Sequence, residues 1–131
     1  MSDYTKVNLA SVEDQAPKFG VQAQSFRALR EDLGCEKTAL SLQEIKPDAR
    51  QEFGHRHADE EEIYVILSGS GRMRVEDDEI EVGELDAIRV APAATRAFEA
   101  GSSGLRFVAF GAGAGKQDGE MRPGWWGDEA G

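Results

Sequence analysis

Beyond residue 24 the chain is a series of short, alternating apolar runs separated by turn residues, with almost no helical periodicity after residue 34. Runs that alternate apolar and polar residues predict half-buried strands. About eight short strands at this spacing are typical of a closed β-sandwich or barrel. The predicted strands cover residues 26–29, 38–45, 62–67, 72–75, 80–83, 86–90, 95–99 and 105–110, and residues 55–57 lie in a short extended piece.

Glycine- and serine-rich segments mark the predicted turns between these strands. Ser68-Gly69-Ser70-Gly71 predicts a tight turn after the strand at 62–67. The segment 76–79 predicts a second turn, and 100–104 is expected to separate the last two strands. The fold prediction is therefore all-β.

The length of 131 residues predicts a single domain with two flanking segments. Residues 1–24 form an N-terminal arm, residues 25–110 the barrel, and residues 111–131 a glycine-rich tail. The tail carries Trp125 and Trp126, which are predicted to dock on the barrel or on a neighbouring subunit because an indole buries a large area.

Composition excludes several partners. A formal net charge of -10 argues against nucleic acid and anionic membrane surfaces. No apolar run approaches the roughly 20 residues that span a bilayer. The N-terminus lacks signal-peptide features, and Cys35 is the single cysteine, so a cytoplasmic location without an internal disulfide is expected.

The two histidines of the chain, His55 and His57, lie two residues apart in the short extended piece. Residues at this spacing project from the same face, so both imidazoles can meet at one point. With a nearby carboxylate they form a set that binds divalent transition metals such as iron, manganese, nickel, zinc or copper. Glu60 and Glu61 are interpreted as solvated charges at the entry to the next strand.

The stretch from His55 to Gly69, together with Gly83, Pro92 and Phe98, resembles the two motifs of the cupin superfamily. The resemblance covers roughly residues 38–110 and implies a double-stranded β-helix, or small jelly-roll barrel. In its first motif the glutamate corresponds to Glu62. In its second motif a third histidine ligand usually stands where this sequence has Arg96, and a proline-x-glycine turn is replaced by 92–94.

Arg96 leaves three interpretations of the candidate site open. It pairs with Glu62 or another acid in a metal-free site, it anchors an anionic ligand beside a weak metal, or it points away. Tyr64 and Phe98 share strand faces with Glu62 and Arg96, so both are predicted to line the pocket. A site without metal is as compatible with the sequence as one that holds His55, His57 and Glu62 around an ion.

Two functions remain open at this point. One is a small-molecule-binding protein of unknown ligand, metal-free or weakly metal-binding. The other is a metal-dependent enzyme of the dioxygenase, isomerase or epimerase type implied by the resemblance, using His55, His57 and Glu62. The sequence identifies neither a ligand nor a reaction.

The alternation of one strand bears on assembly. If Glu62, Tyr64 and Ile66 face inward, then Ile63, Val65 and Leu67 face outward. An outward apolar row needs a cover, which the N-terminal arm or a second subunit can supply. A homodimer is therefore expected.

Overall fold

A computed structural model describes residues 3–113 and 119–127. It confirms the predicted all-β fold, with eight antiparallel strands curled into a jelly-roll barrel. The elements are β1 (Gln24–Ala28), α1 (Arg30–Leu33), β2 (Thr38–Ile45), β3 (Phe53–His57), β4 (Glu61–Val75), β5 (Asp78–Gly83), β6 (Ala87–Val90), β7 (Arg96–Ala112) and β8 (Gly119–Pro123). Two short 3-10 helices, Leu9–Ser11 and Ala16–Phe19, precede β1.

The long strands β4 and β7 pass through both halves of the barrel. Their first and second parts pair with different neighbours, so the strands form two layers. One layer has the order β6, β4, β7, β2, β1, and the other has the order β5, β4, β7, β3, β8. The apolar core lies between them, with Tyr64, Ile66 and Phe107 from one layer and Met73 and Phe98 from the other.

Two predicted chain breaks are wrong. The segment 68–71 continues through β4 instead of forming a hairpin, and 100–104 continues through β7. Gly69 and Gly104 have φ values of 84° and 78°, and the register between β4 and β7 shifts at this level. A Cβ on Gly69 would strike the carbonyl oxygen of Gly104. The glycines therefore allow two strands to bend together at close approach rather than end.

The alternation along β4 follows the predicted parity. Tyr64 and Ile66 are buried in the core, whereas Ile63 is 36% exposed on the outer surface. Phe110, which pairs with Ile63 across β4 and β7, is 42% exposed. An apolar outer row is thus present beside the first part of β4.

The N-terminal segment lies along β1. The Asp14 side chain accepts hydrogen bonds from the backbone of Phe26 and Ala16, and these bonds lower the pKa of Asp14 although its slight burial raises it. Val12 and Ala16 are buried, whereas Phe19 is exposed. No helix within the described residues is long and apolar enough to cross a membrane.

The C-terminal residues 119–127 pack on β3. Five residue pairs join β8 to β3, and the Trp126 indole N–H donates to the carbonyl of Gln51 at 2.9 Å. Trp125 lies against Gly54, where a Cβ would come within 2.5 Å of the indole Cγ. The rest of the predicted tail, 114–118 and 128–131, and residues 1–2 of the arm lie outside the described residues. The bounds of arm, barrel and tail stay predictions.

Candidate functional site

The candidate residues come from both layers of the barrel. Alternation along β3 directs His55 and His57 inward, and His55 pairs with Arg96 at the start of β7. Glu62 and Tyr64 enter from β4 in the opposite layer. Among the predicted residues, the structure brings these five side chains together.

The centre of the site is an ion pair between the two layers. Nη2 of Arg96 donates to Oε1 of Glu62 at 2.6 Å, and the Arg96 side chain is 0% exposed. Three positions of Arg96 were open from the sequence, and in the structure Arg96 pairs with Glu62. Desolvation lowers the pKa of Arg96, but contacts with Tyr64 and Glu62 outweigh it and raise the value, so the guanidinium stays charged.

The other nitrogens of Arg96 are also engaged. Nε donates to the Tyr64 hydroxyl at 3.1 Å, and Nη1 donates to carbonyl oxygens of the loop that precedes β7. Those carbonyls belong to Ala91, Pro92 and Ala94. Arg96 therefore holds a loop and a carboxylate at once, and little of its donor capacity is left for a ligand.

Oε1 of Glu62 is approached by four groups. Arg96 Nη2 and the Tyr64 hydroxyl are close, at 2.6 and 2.5 Å, while Nε2 of His55 and Nε2 of His57 both lie at 3.3 Å. Burial would raise the pKa of Glu62, but polar contacts with the two histidines and Tyr64 hold it well below its usual range. Glu62 is a carboxylate at neutral pH, and its strong hydrogen bonds are to Arg96 and Tyr64.

The protonation states of the neighbours follow from burial. Desolvation lowers the pKa of His55, against the opposing effect of Glu62, so this imidazole is neutral at pH 7. Burial raises the pKa of Tyr64 well above its usual value, which keeps the hydroxyl protonated as a donor to Glu62. The charges of Arg96 and Glu62 cancel.

A divalent metal fits the donor atoms in kind and, for the two pairs that include Glu62, in spacing. One nitrogen from each of His55 and His57 and an oxygen of Glu62 lie within 4.8 Å of one another. Donors about 2.1 Å from a common ion are separated by roughly 3–4 Å, which the two 3.3 Å distances to Glu62 match. The electrostatics are less favourable, because the guanidinium of Arg96 contacts the oxygen that would face the ion. His55, His57 and Glu62 are thus a possible metal site.

Tyr64 and Phe98 have different positions. Tyr64 presents its hydroxyl to the polar cluster, while its ring packs against Phe98 with centroids 5.1 Å apart. Phe98 lies deeper and stacks on Phe107 at 4.5 Å in the core. The predicted contact of Phe98 with a ligand stays a prediction, and the geometry gives the ring a packing role.

Glu60 is a residue that the sequence interpretation missed. Its carboxylate lies 3.2 Å from Nδ1 of His57, and its side chain is 16% exposed rather than solvated. The spacing from His57 to Glu60 is three residues in a loop, where no periodic pattern predicts side-chain direction. No sequence signal separated Glu60 from the neighbouring acidic residues.

A family model described as a cupin domain matches residues 41–110. A cupin protein from Bacteroides fragilis is similar to this chain at 27% identity, with a TM-score of 0.72 and 92% of each chain covered. The oxalate decarboxylase from Bacillus subtilis has a TM-score of 0.76 at 16% identity over 93% of this chain and 33% of its own. A DMSP lyase has a TM-score of 0.65 at 16% identity over 75% of this chain and 52% of its own. No curated protein sequence matches.

Proposed function

This chain belongs to the cupin domain family, and from that premise we propose that it binds a small molecule at the barrel mouth. The pocket is built from His55, His57, Glu62 and Arg96, and it is metal-free or holds a divalent metal weakly. The observation that carries the proposal is the 2.6 Å bond between the buried guanidinium of Arg96 and Glu62.

Electrostatics support weak metal binding. At an effective dielectric constant of about 20, a dication roughly 5 Å from a guanidinium is repelled by about 7 kcal/mol. Glu62 would also have to share the oxygen that accepts from Arg96 and Tyr64. The opposing charge offsets much of the binding energy that two imidazoles and one carboxylate supply.

The exposure of the cluster supports access from the histidine side. The His55 side chain is 22% exposed, compared with 13% for Glu62 and 10% for His57, whereas Arg96 is fully buried. A ligand that approaches the cluster meets His55 first and finds the guanidinium already bonded. Contacts with the imidazoles and Glu62 would therefore select the ligand.

Metal titration tests this proposal. Nickel(II) and manganese(II) are titrated by calorimetry into the wild type, Arg96→His and the control Arg89→His, which adds a histidine at an exposed position. Arg96→His should bind nickel about a hundredfold or more tighter than the wild type, because a cation is replaced by a ligand. Arg89→His should match the wild type. A tightly held stoichiometric metal in purified wild-type protein, or no gain in Arg96→His, would contradict the proposal.

A metal-dependent enzyme of the dioxygenase, isomerase or epimerase type is the second candidate. The close approach of donor atoms from His55, His57 and Glu62 favours it, since three ligands leave positions open on an ion. Elemental analysis of protein purified without chelator discriminates between the two. One equivalent of iron, manganese, nickel, zinc or copper that is lost in His57→Gln would favour the enzyme.

We also propose that two copies associate through the apolar outer row. Ile63 and Phe110 are exposed there as a direct cross-strand pair, and Val65 and Val108 form the next pair along the same strands. Burying such a row removes apolar surface from water. Sedimentation equilibrium of Phe110→Glu should give a monomer, while the control Phe19→Glu, exposed elsewhere, should sediment like a dimeric wild type. A monomeric wild type would refute this.

A further inference from the structure

The carboxylate of Glu60 is folded back towards the barrel. It belongs to the loop between β3 and β4, and its Oε2 lies 3.2 Å from Nδ1 of His57. The Glu60 side chain lies directly over Gly111 of β7, where a Cβ would collide with the carboxylate. At Gly113, a Cβ would lie 2.9 Å from the Glu60 Cα. The glycines leave room for the mostly buried carboxylate of Glu60 beside His57.

This contact selects a tautomer of His57. A carboxylate accepts hydrogen bonds and donates none, so the contact with Glu60 requires a hydrogen on Nδ1 of His57. In the neutral imidazole that a metal needs, the lone pair then lies on Nε2, which faces Oε1 of Glu62 at 3.3 Å. Two electron-pair donors face each other across this gap, and an electron-pair acceptor between them would relieve their repulsion.

The opposite tautomer is opposed by crowding at Glu62. With its hydrogen on Nε2, His57 would lose the bond to Glu60 and would have to donate to Glu62 Oε1. That oxygen already accepts from Arg96 Nη2 and the Tyr64 hydroxyl at 2.6 and 2.5 Å. A carboxylate oxygen has two lone pairs, so a third, longer bond gains little.

We propose that Glu60 is a positioning residue that holds His57 with its hydrogen on Nδ1 and thereby presents the Nε2 lone pair to a divalent transition metal. Carboxylates behind metal-binding histidines act in this way and raise the basicity of the ligand. Only one part of this inference rests on the proposed function, namely that the group bound by Nε2 of His57 is a divalent metal. The tautomer itself depends on Glu60, His57 and the crowded oxygen of Glu62.

The first measurement is the tautomer of His57 in metal-free protein, from long-range ¹H–¹⁵N spectra. The chain has 2 histidines, so His55→Gln assigns the ring signals. Wild-type protein should show a protonated Nδ1 and an unprotonated Nε2 on His57. Glu60→Ala should shift His57 to a mixture or to the Nε2–H form, and Glu60→Gln, which retains a carbonyl acceptor, should preserve the wild-type pattern. Nε2–H in wild type, or no change in Glu60→Ala, would overturn the inference.

The second measurement is nickel affinity in the Arg96→His background, where the guanidinium no longer opposes the ion. Adding Glu60→Ala should weaken binding by about 10- to 100-fold, and Glu60→Gln should weaken it less. Glu61→Ala is the matched control, because Glu61 is exposed and pairs with Arg89 instead. Equal nickel affinities of the Glu60→Ala, Glu60→Gln and Glu61→Ala variants in this background would contradict the proposal that Glu60 strengthens metal binding. If Arg96→His binds no nickel while the tautomer depends on Glu60, the proposed function fails and the positioning role stands.

Discussion

Replacing Arg96 by methionine should destabilise the protein strongly. The guanidinium is fully buried and joins the two layers of the barrel through Glu62, Tyr64 and the carbonyls of the loop before β7. Arg96→Met leaves a mostly buried carboxylate without its cation and several carbonyls without their donor. Breaking such a pair costs about 3–5 kcal/mol, a large share of the roughly 5–15 kcal/mol that stabilises a domain.

A double-mutant cycle separates the pair from the rest of the contacts. Glu62→Gln removes the negative charge and leaves Arg96 buried, while the double variant removes both charges. The double variant should be less destabilised than the sum of the single variants by about 1–3 kcal/mol, because neither charge is left alone. Urea unfolding followed by tryptophan fluorescence measures each free energy of unfolding.

The exposed pair of Arg89 and Glu61 is the control for this cycle. Its atoms are 3.2 Å apart, but both side chains are more than half exposed. Arg89→Met should cost about 1 kcal/mol or less. Additive effects at Arg96 and Glu62, or a loss in Arg96→Met no larger than in Arg89→Met, would refute the reasoning.

Two further predictions follow from the same geometry. The pKa of Glu62 in the folded protein lies below its usual value of 4.5. The ionised carboxylate therefore stabilises the fold above pH 4.5, and this stabilisation is lost as the pH falls towards the folded-state pKa. The deficit of Glu62→Gln relative to wild type, measured by urea unfolding, should therefore shrink between about pH 6 and about pH 3, and a constant deficit would contradict this. Gly54→Ala should lose about 1–3 kcal/mol by displacing Trp125, whereas Gly83→Ala, with nothing within 4 Å of its Cβ, should lose under about 1 kcal/mol in the same assay. Equal losses would argue against the packing of Trp125 on β3.

The strands could be predicted from the sequence because apolar and polar residues alternate along a strand that is buried on one face. The parity of Glu62, Tyr64 and Ile66 follows from the period of a strand, and β2 has the predicted bounds 38–45. The glycines at 68–71 and 100–104 were misread because a glycine marks a tight turn and a close approach of two strands equally well. The collision at Gly69 involves Gly104, a residue far along the chain, so no local window contains the reason.

The site was predictable to the level of residue types and spacing. The structure brings donor atoms of His55, His57 and Glu62 within 4.8 Å of one another, and their role as metal ligands stays a prediction. The choice among three positions for Arg96 depended on the approach of β7 to β4, which the sequence does not specify. The position of Glu60 was not predicted, because the direction of its side chain depends on the loop conformation and on the open space over Gly111.

The charge of the site is the reason why a single substitution at Arg96 is expected to change metal binding. With neutral imidazoles, Arg96 and Glu62 sum to zero, and the Glu60 carboxylate beside His57 gives the cluster one negative charge, so a bound dication would leave one uncompensated positive charge. A histidine in place of Arg96 would leave two carboxylates, and the same dication would balance them. Because uncompensated charge is costly away from water, the pairing of Arg96 with Glu62 opposes a divalent metal at these residues. This charge balance supports the proposal that the pocket binds a small molecule and holds a divalent metal weakly, if at all.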